Sequence, residues 1–313
     1  MSTSYSPSSD QYLRMERKFC LVCEEDGARI DAYLSGKLSL TRTKVKQLIE
    51  EGHVRILGGP AKPSHKVRKG LTVEGEIPEE EPLKLVPEAI PLEVLYEDQH
   101  LIAINKEKGM VVHPSAGHRK GTLVHAILSR LMDPASFGTA ERPGIVHRLD
   151  KDTTGVVLIA KDPRTQEALS RQFQERTVKK VYRAVVDGVM RFNEGEVEGR
   201  IGRHPQDRKR MAMLQKGGRL SHSGYRVLKR LQGYTYVEVY PTTGRTHQIR
   251  VHLASLGHPV TGDVTYAKRR RGVADRPLLH AFRIEFEHPV RKEPVVIEAP
   301  LPEDIEEFVR AHL

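Results

Sequence analysis

The 313-residue chain has no tryptophan and two cysteines, and aromatic residues make up 5% of it. Two cysteines exclude a disulfide framework. The single CxxC, Cys20 and Cys23 in "FCLVC", has no second pair elsewhere, and on a strand positions three apart face opposite sides. They read as ordinary apolar thiols in a reducing cytoplasm, so redox and structural-zinc roles fall away. Apolar runs such as "VVLIA" and "LIAI" stop far short of the roughly 20 residues that span a bilayer. The opening "MSTSYSPSSDQY" has neither an apolar core nor a basic start, and reads as a disordered tail over 1–16 rather than a signal peptide. Also missing are GxSxG, a P-loop, HExxH and a Rossmann glycine fingerprint. Among 15 histidines, none pair at i and i+4 around a carboxylate base, so metal catalysis is not indicated.

Positive charge is what the chain has in excess: 51 Lys and Arg against 41 acidic residues, a net charge of +10. That balance points to a polyanionic partner. The charge is concentrated. Residues 29–72 hold ten Lys/Arg against three acidic residues, residues 199–230 hold ten against Asp207 alone, and "KRRR" stands at 268–271. Between the first two lies "EGEIPEEEPLKLVPEAIP", acidic and proline-bearing. The distribution suggests two basic modules, joined by an acidic hinge, that hold one nucleic acid. On charge alone, ordinary solvated faces are an equal alternative.

Residues 29–51 read as two short helices. Ile30, Leu34 and Leu38 form one stripe, and Ser39 or Thr41 can cap a second helix carrying Val45, Leu48 and Ile49. Gly52 ends it in the position where a left-handed conformation is usually wanted. Arg42 and Lys46 lie one turn apart on its outer face, with Lys44 beside them. "HVRI" and "LTVEGEI" read as short strands. Past the acidic stretch, "LEVLYEDQHLIAINK" predicts two strands about a polar turn, and "GTLVHAILSRL" a helix. "GIVHRL" and "GVVLIAK" read as strands, "QEALSRQFQE" as a helix and "KKVYRAVVDG" as a strand. "YTYVEVYPTTG" alternates and predicts a half-exposed strand, and "THQIRVHLASLG" a helix stopped by Gly257. No period of 20 to 50 residues suggests a repeat. The chain therefore reads as α+β. A small αα-β domain is expected over 17–78, an acidic linker over 79–91, and over 92–313 a mixed, mainly antiparallel sheet with helices and loops around a central cleft.

"HRLDKDTTG", at 147–155 between "GIV" and "VVLIA", carries more charge than a surface turn requires. Loops on a rigid sheet are where catalytic groups concentrate, which makes Asp150 and Asp152 candidates. "TTGRTHQIRVHL" supplies a second cluster, Arg245, His247, Gln248 and Arg250, able to pair with a carboxylate or grip phosphates. A surface helix with snorkelling arginines is the bland reading of the same stretch. Spacing leaves open whether the two clusters meet.

"RIDAYLSGKLSLTRTKVKQLIEEGHVRI" resembles the alpha-L (S4-like) RNA-binding domain shared with a small-subunit ribosomal protein, over about residues 27–75, with "RILGG" for the usual "VNG". "RPGIVHRLDKDTTGVVLIAK" and "TTGRTHQIRVHLASLGHPVTGD" closely resemble the RluA/RluD family of pseudouridine synthases. "KKVYRAVVDG", "IGRHPQDRKRM" and "LLHAF" fall in the family's order, so the likeness runs from about Leu92 to Pro300. With the alpha-L domain in front, the chain resembles the type that acts on the large ribosomal subunit. The resemblance implies isomerisation of uridines to pseudouridine in structured RNA. The substrate is expected to be large-subunit ribosomal RNA, free or in pre-ribosomal particles, with transfer RNA as the alternative. It also implies a cytoplasmic monomer without cofactor, metal or membrane contact.

By the same resemblance, Asp150 corresponds to the essential aspartate and Arg250 to the arginine that ion-pairs with it. Tyr182 corresponds to the tyrosine that stacks on the target base, and Arg148 to the arginine that helps hold the RNA open. Lys151, Arg245, His247, Gln248, Arg208, Lys209 and Arg210, with Arg42, Lys44 and Lys46 in the N-terminal domain, are expected to contact RNA. The chain departs from the family at Glu107, where proline is usual, and in "GGRLSHSGY" at 217–225. The chemistry breaks N1–C1′, turns the uracil and joins C5 to C1′. A carboxylate can serve it as nucleophile at C1′ or as base at C2′, and a nearby cation favours the ionised form. Flipping the target out of folded RNA costs a few kcal/mol. Two rivals remain. A catalytically dead assembly factor is opposed by the intact Asp150, Tyr182 and Arg250. A uridine N-glycosidase, with Asp150 and Asp152 as paired carboxylates, is opposed by the resemblance.

Overall fold

The computed structural model describes residues 17–56, 58–78, 85–114, 118–131, 143–207, 210–267 and 273–313. The tail expected over 1–16, residues 79–84 of the linker, Arg208, Lys209 and the "KRRR" run lie outside the described residues. The chain divides into two units, Met1–Lys84 and Leu85–Leu313. Residues 85–91 of the expected linker thus count with the second unit, where Leu85 packs against the core.

In the first unit, β1 (Arg17–Val22) is followed by α1 (Ile30–Lys37), α2 (Arg42–Glu50), β2 (Val54–Ile56), β3 (Gly59–Pro60) and β4 (Thr72–Ile77). The strands form an antiparallel sheet in the order β1-β4-β2-β3. Ile30 and Leu34 of α1 meet Val45, Leu48 and Ile49 of α2 over Val54 and Val73 of the sheet. The Thr41 hydroxyl accepts the Lys44 N–H at 3.3 Å and caps α2, an interaction typically worth about 1 kcal/mol. Cys20 is exposed and Cys23 buried.

The second unit runs β5 (Glu93–Glu97), β6 (Leu101–Lys106), α3 (Leu123–Leu128), β7 (Thr154–Ala160), α4 (Pro163–Glu175), β8 (Lys179–Asp187) and β9 (Glu194–Arg203). It continues through β10 (Met211–Leu214), β11 (Arg219–Arg230), β12 (Tyr234–Pro241), α5 (Gln248–Ser255), β13 (Leu279–Glu287), β14 (Pro294–Glu298) and α6 (Glu303–Ala311). One sheet takes all ten strands in the order β10-β9-β11-β12-β8-β13-β7-β6-β5, with β14 on β13. Among the described residues its pairs are antiparallel except β13 with β7.

Strands β6 and β7 are buried on both faces. Ile102, Ile104, Val157 and Ile159 face α3, while Leu101, Ala103, Val156 and Leu158 pack on the other side with Leu169 of α4. Two expectations change here. β12 is not half-exposed: Tyr234 to Val239 are all buried, because β12 lies mid-sheet between β11 and β8. Its Val237 and Val239 meet Ile249 and Leu253 of α5, and Tyr234 and Tyr236 meet Ile305 and Phe308 of α6. "GIVHRL" is not a strand either, beyond a single bridge from Ile145 to Ile159. The His147 ring nitrogen Nε2 takes the Leu158 N–H at 2.8 Å, where a neighbouring strand would offer a carbonyl.

The sheet fixes the loop of interest at both ends. Leu149 is buried under α3 in the same cluster as Ile102 and Val157. At the other end Gly155 has φ +110, and a Cβ there would lie 2.2 Å from the Ala281 carbonyl oxygen. Only glycine lets β7 approach β13 so closely in that conformation.

Candidate active site

Asp150 stands between these two anchors. The turn after it closes with the Thr153 N–H donating to the Asp150 carbonyl at 3.2 Å, and the buried Thr154 hydroxyl hydrogen-bonds His280 Nδ1 at 2.8 Å. From below, Lys106 holds the loop. Its side chain is fully buried, and Nζ donates to the carbonyls of Glu107, Met110 and Lys151, each at 2.9 Å. A lysine has three donors, so all are spent. Burial pushes the Lys106 ammonium down to about 8, opposed by the charges of Asp152 and Asp150.

Arg250, in the first turn of α5, faces Asp150 with Nη1 3.2 Å from Oδ2. The two-pronged grip of the guanidinium goes to another carboxylate. Arg250 Nε and Nη2 donate to Oδ2 and Oδ1 of the buried Asp263 at 2.6 and 2.8 Å. Burial alone would lower the Arg250 pKa, but Asp263, with Asp150 added, pushes it above the usual arginine value. Asp263 does not stand out in the sequence, though it ends the quoted "GHPVTGD".

Beside Arg250, His247 is the left-handed N-cap of α5 at φ 55. It is held there by a hydrogen bond between Nδ1 and the Tyr266 hydroxyl at 2.9 Å, while that hydroxyl accepts the Met211 N–H at 2.9 Å. His247 Nε2 lies 3.9 Å from Asp150 Oδ2, and burial lowers its pKa, against the raising effect of Asp150. The Arg250 guanidinium sits 5.2 Å from the centre of the Tyr266 ring. Tyr182 of β8 completes the group. Burial first, and the charge of Asp150 second, raise its phenol above the usual value, so the ring stays neutral at physiological pH.

Asp150, Tyr182, His247 and Arg250 line a cleft of about 560 Å³, within the usual range of ligand sites. Arg148 lines it too, exposed to solvent. Asp150 is the one carboxylate among the lining residues, and Asp152 is not one of them. A pair of carboxylates facing one sugar is therefore not what this cleft presents. Lys151 is exposed, with Nζ 3.5 Å from His118 Nε2.

Gln248 departs from the expected RNA contact. It is 4% exposed. Its carbonyl accepts from the Thr243 hydroxyl and the Arg245 N–H, and its amide donates to the His222 carbonyl and Ser223 Oγ. It shapes the turn before α5. Arg210 lies with its guanidinium 5.4 Å from the centre of the Tyr266 ring. In the first unit Arg42 reaches the buried Asp31 at 3.2 Å and Lys46 pairs with Glu50 at 3.4 Å, both cations about half exposed. Lys44 lies half-buried on the same helix.

His147 connects this site to stability. It stacks on Phe173 with ring centres 4.6 Å apart, and burial first, then Lys180, drives its pKa down to about 3. His252 and His280 are driven down to about 4, also chiefly by burial. The unfolded chain takes up these protons near pH 6.5 and the folded one refuses them. Stability should therefore fall as pH drops from about 6.5 toward 3. Melting temperature across that range should decline less steeply for His147→Gln, whose amide does not titrate. Parallel declines would remove His147 from the effect.

Comparison with known proteins finds matches in sequence and in fold. The RNA pseudouridylate synthase family profile matches residues 100–255, and that of the S4 domain residues 28–73. An uncharacterized RNA pseudouridine synthase of Aquifex aeolicus is 43% identical over 292 residues, covering 90% of this chain and 92% of the relative. The ribosomal large subunit pseudouridine synthase D of Neisseria meningitidis serogroup A is 40% identical over 292 residues, covering 89% of this chain and 77% of that one. Among solved structures, human RNA pseudouridylate synthase domain containing 1 matches with TM-score 0.56 at 25% identity, over 72% of this chain and 95% of that one.

Proposed function

Since the chain belongs to the RNA pseudouridylate synthase family, we propose that its cleft isomerises specific uridines of large-subunit ribosomal RNA to pseudouridine. The observation that carries this reading is one carboxylate, Asp150, facing a cationic cleft and held by an arginine that a buried carboxylate locks in place. Arg250 spends Nε and Nη2 on Asp263, so Nη1 is fixed in direction before substrate arrives. Preorganised charge of this kind acts without reorganising during the reaction.

The carboxylate of Asp150 acts on the ribose, breaking N1–C1′. The detached uracil must turn before C5 reaches C1′, and the walls must hold it while excluding water. Tyr182, neutral and half-buried, supplies one wall and can hold a proton at its oxygen. Arg148, exposed at the rim, is placed to fill space left by a flipped nucleotide, whose unstacking costs a few kcal/mol. The substrate assignment leans on the relatives named for the large ribosomal subunit and on the S4 match. Among the described residues no helix is long and apolar enough to cross a membrane, and the proposed setting is the cytoplasm.

Mapping pseudouridines in large-subunit ribosomal RNA from cells with and without this protein tests the assignment. Defined positions should lose modification in its absence. Unchanged maps there, with unmodified sites appearing in transfer RNA, would move the substrate class.

The first unit adds affinity rather than chemistry on this reading. Deleting residues 1–84 should weaken RNA binding and flatten its salt dependence. The log–log slope should shrink by ~0.9 for each duplex phosphate that the first unit neutralises, using the DNA value. Filter-binding titrations across salt concentrations measure this. Unchanged affinity and slope would contradict it.

A further inference from the structure

The cleft extends beyond Tyr182. Lys180 lies two residues back on β8, so its side chain leaves the same face of the sheet, roughly 7 Å along the strand. It lines the cleft with Arg176, Arg219 and Arg245. Each comes from a different element. Arg176 is the left-handed C-cap of α4 at φ 63, Arg219 opens β11, and Arg245 sits in the turn before α5. Arg245 is pinned, because its Nε donates to the Leu220 carbonyl at 2.9 Å, which leaves both terminal nitrogens for the cleft. Among the described residues Lys180 Nζ has one long contact, 3.5 Å, to the Thr243 carbonyl.

Among the described residues none of these four cations forms an ion pair with a carboxylate. The acidic side chain in the cleft, Asp150, is already engaged by Arg250. Their repulsion is visible in their protonation. Burial, and Arg176 after it, push Lys180 down to about 8. Burial, then Arg219 and Arg176, lower Arg245. Arg176 and Arg219 are exposed at the mouth, whereas Lys180 and Arg245 are partly enclosed; withdrawing these two cations from water without a carboxylate beside them is costly unless an anion returns the energy.

We propose that this lobe is a phosphate seat, which takes a phosphodiester of the RNA next to the flipped uridine. Its distance from Tyr182 is comparable to the span from a ribose to a neighbouring phosphate. Its four cationic side chains suit a group whose negative charge is spread over two unesterified oxygens better than a neutral uracil carbonyl, for which one donor suffices. Arginines from three parts of the chain can each offer paired N–H groups to such oxygens. That the anion is an RNA phosphate rests on the isomerase reading. That the lobe binds phosphate oxygens does not.

The test uses the full chain, the Arg176→Ala/Arg219→Ala double variant and Lys180→Met, with inorganic pyrophosphate as probe. Calorimetry should show pyrophosphate binding to the wild type, weakened at least tenfold in the double variant. With large-subunit ribosomal RNA transcribed in vitro as substrate, pyrophosphate should compete with RNA. The double variant should raise KM about tenfold while kcat stays within about twofold. The salt dependence of its RNA affinity should also flatten, by ~0.7 in log–log slope for one single-strand phosphate. Lys180→Met should likewise act on KM. No pyrophosphate binding to the wild type, or equal binding to wild type and double variant, overturns the seat. Lys180→Met lowering kcat at constant KM overturns it too, by placing the ammonium on the uracil. If the wild type makes no pseudouridine the isomerase reading fails, and calorimetry alone still decides the seat.

Discussion

Asp150→Asn should yield a folded protein that binds RNA and releases no tritium from RNA labelled at uridine C5. Asparagine keeps the shape of aspartate and can accept the single bond that Arg250 Nη1 makes at 3.2 Å. Arg250 itself stays in place, since Asp263 holds it with two bonds of 2.6 and 2.8 Å. What disappears is the charge, and with it any capacity to attack C1′ or take a proton from C2′. A loss of roughly 10⁴-fold or more is expected, about 5 kcal/mol of barrier. RNA affinity should hold or rise, because a negative group facing phosphates has gone. Asp152→Asn is the control. Asp152 is exposed and outside the cleft lining, so this variant should keep most of its activity. Tritium release by Asp150→Asn with Asp152→Asn inactive would move the catalytic role two residues along the loop.

Arg250→Lys should lose about a hundredfold in turnover although the charge is kept. The guanidinium serves two carboxylates from three nitrogens: Nε and Nη2 on Asp263, Nη1 on Asp150. An ammonium is a point charge with a different reach and cannot hold both in those directions. Losing an oriented partner in an enclosed site costs ~3 kcal/mol. The companion variant is Asp263→Asn, at a residue outside the cleft lining. It removes the charge that fixes Arg250, and should lower kcat while leaving KM close to its original value. Steady-state kinetics on both variants check this, and near-wild-type turnover in either would mean that Asp263 does not lock the pair. Stability should drop as well, because Asp263 is completely buried and breaking a buried pair typically costs about 3–5 kcal/mol.

Much of the site's wording is visible in the sequence, but little of its grammar. "HRLDKDTTG" announces a charged loop between buried segments, and "GRTHQIR" a second basic cluster. The fold joins them through a contact one hundred residues apart in sequence, which no local pattern encodes. Asp263 is hidden for the same reason: thirteen residues from Arg250, it is one acidic residue in a turn until the chain folds back. Lys106 looks like a solvated lysine in "INKEKG", yet it is the fully buried support of the loop, because three carbonyls converge on it. Gln248 shows the reverse. Its place among basic residues suggests RNA, whereas the turn before α5 and strand β11 together consume its hydrogen-bonding capacity. β12 misleads because strict alternation describes side-chain type rather than exposure. Its tyrosine face is covered by α6, an element about seventy residues downstream in the chain. Local caps and turns are the most legible features. Thr41 and Gly52 act through neighbours within a few residues.

That Asp150 drives isomerisation rather than hydrolysis is tested most directly by product analysis. Large-subunit ribosomal RNA transcribed in vitro, and so free of pseudouridine, is incubated with the wild type or Asp150→Asn. It is then digested to nucleosides, and free uracil is quantified in parallel. The predicted result is pseudouridine with the wild type, none with Asp150→Asn, and no free uracil with either. Free uracil accumulating in place of pseudouridine, or pseudouridine formed equally by Asp150→Asn, would contradict it.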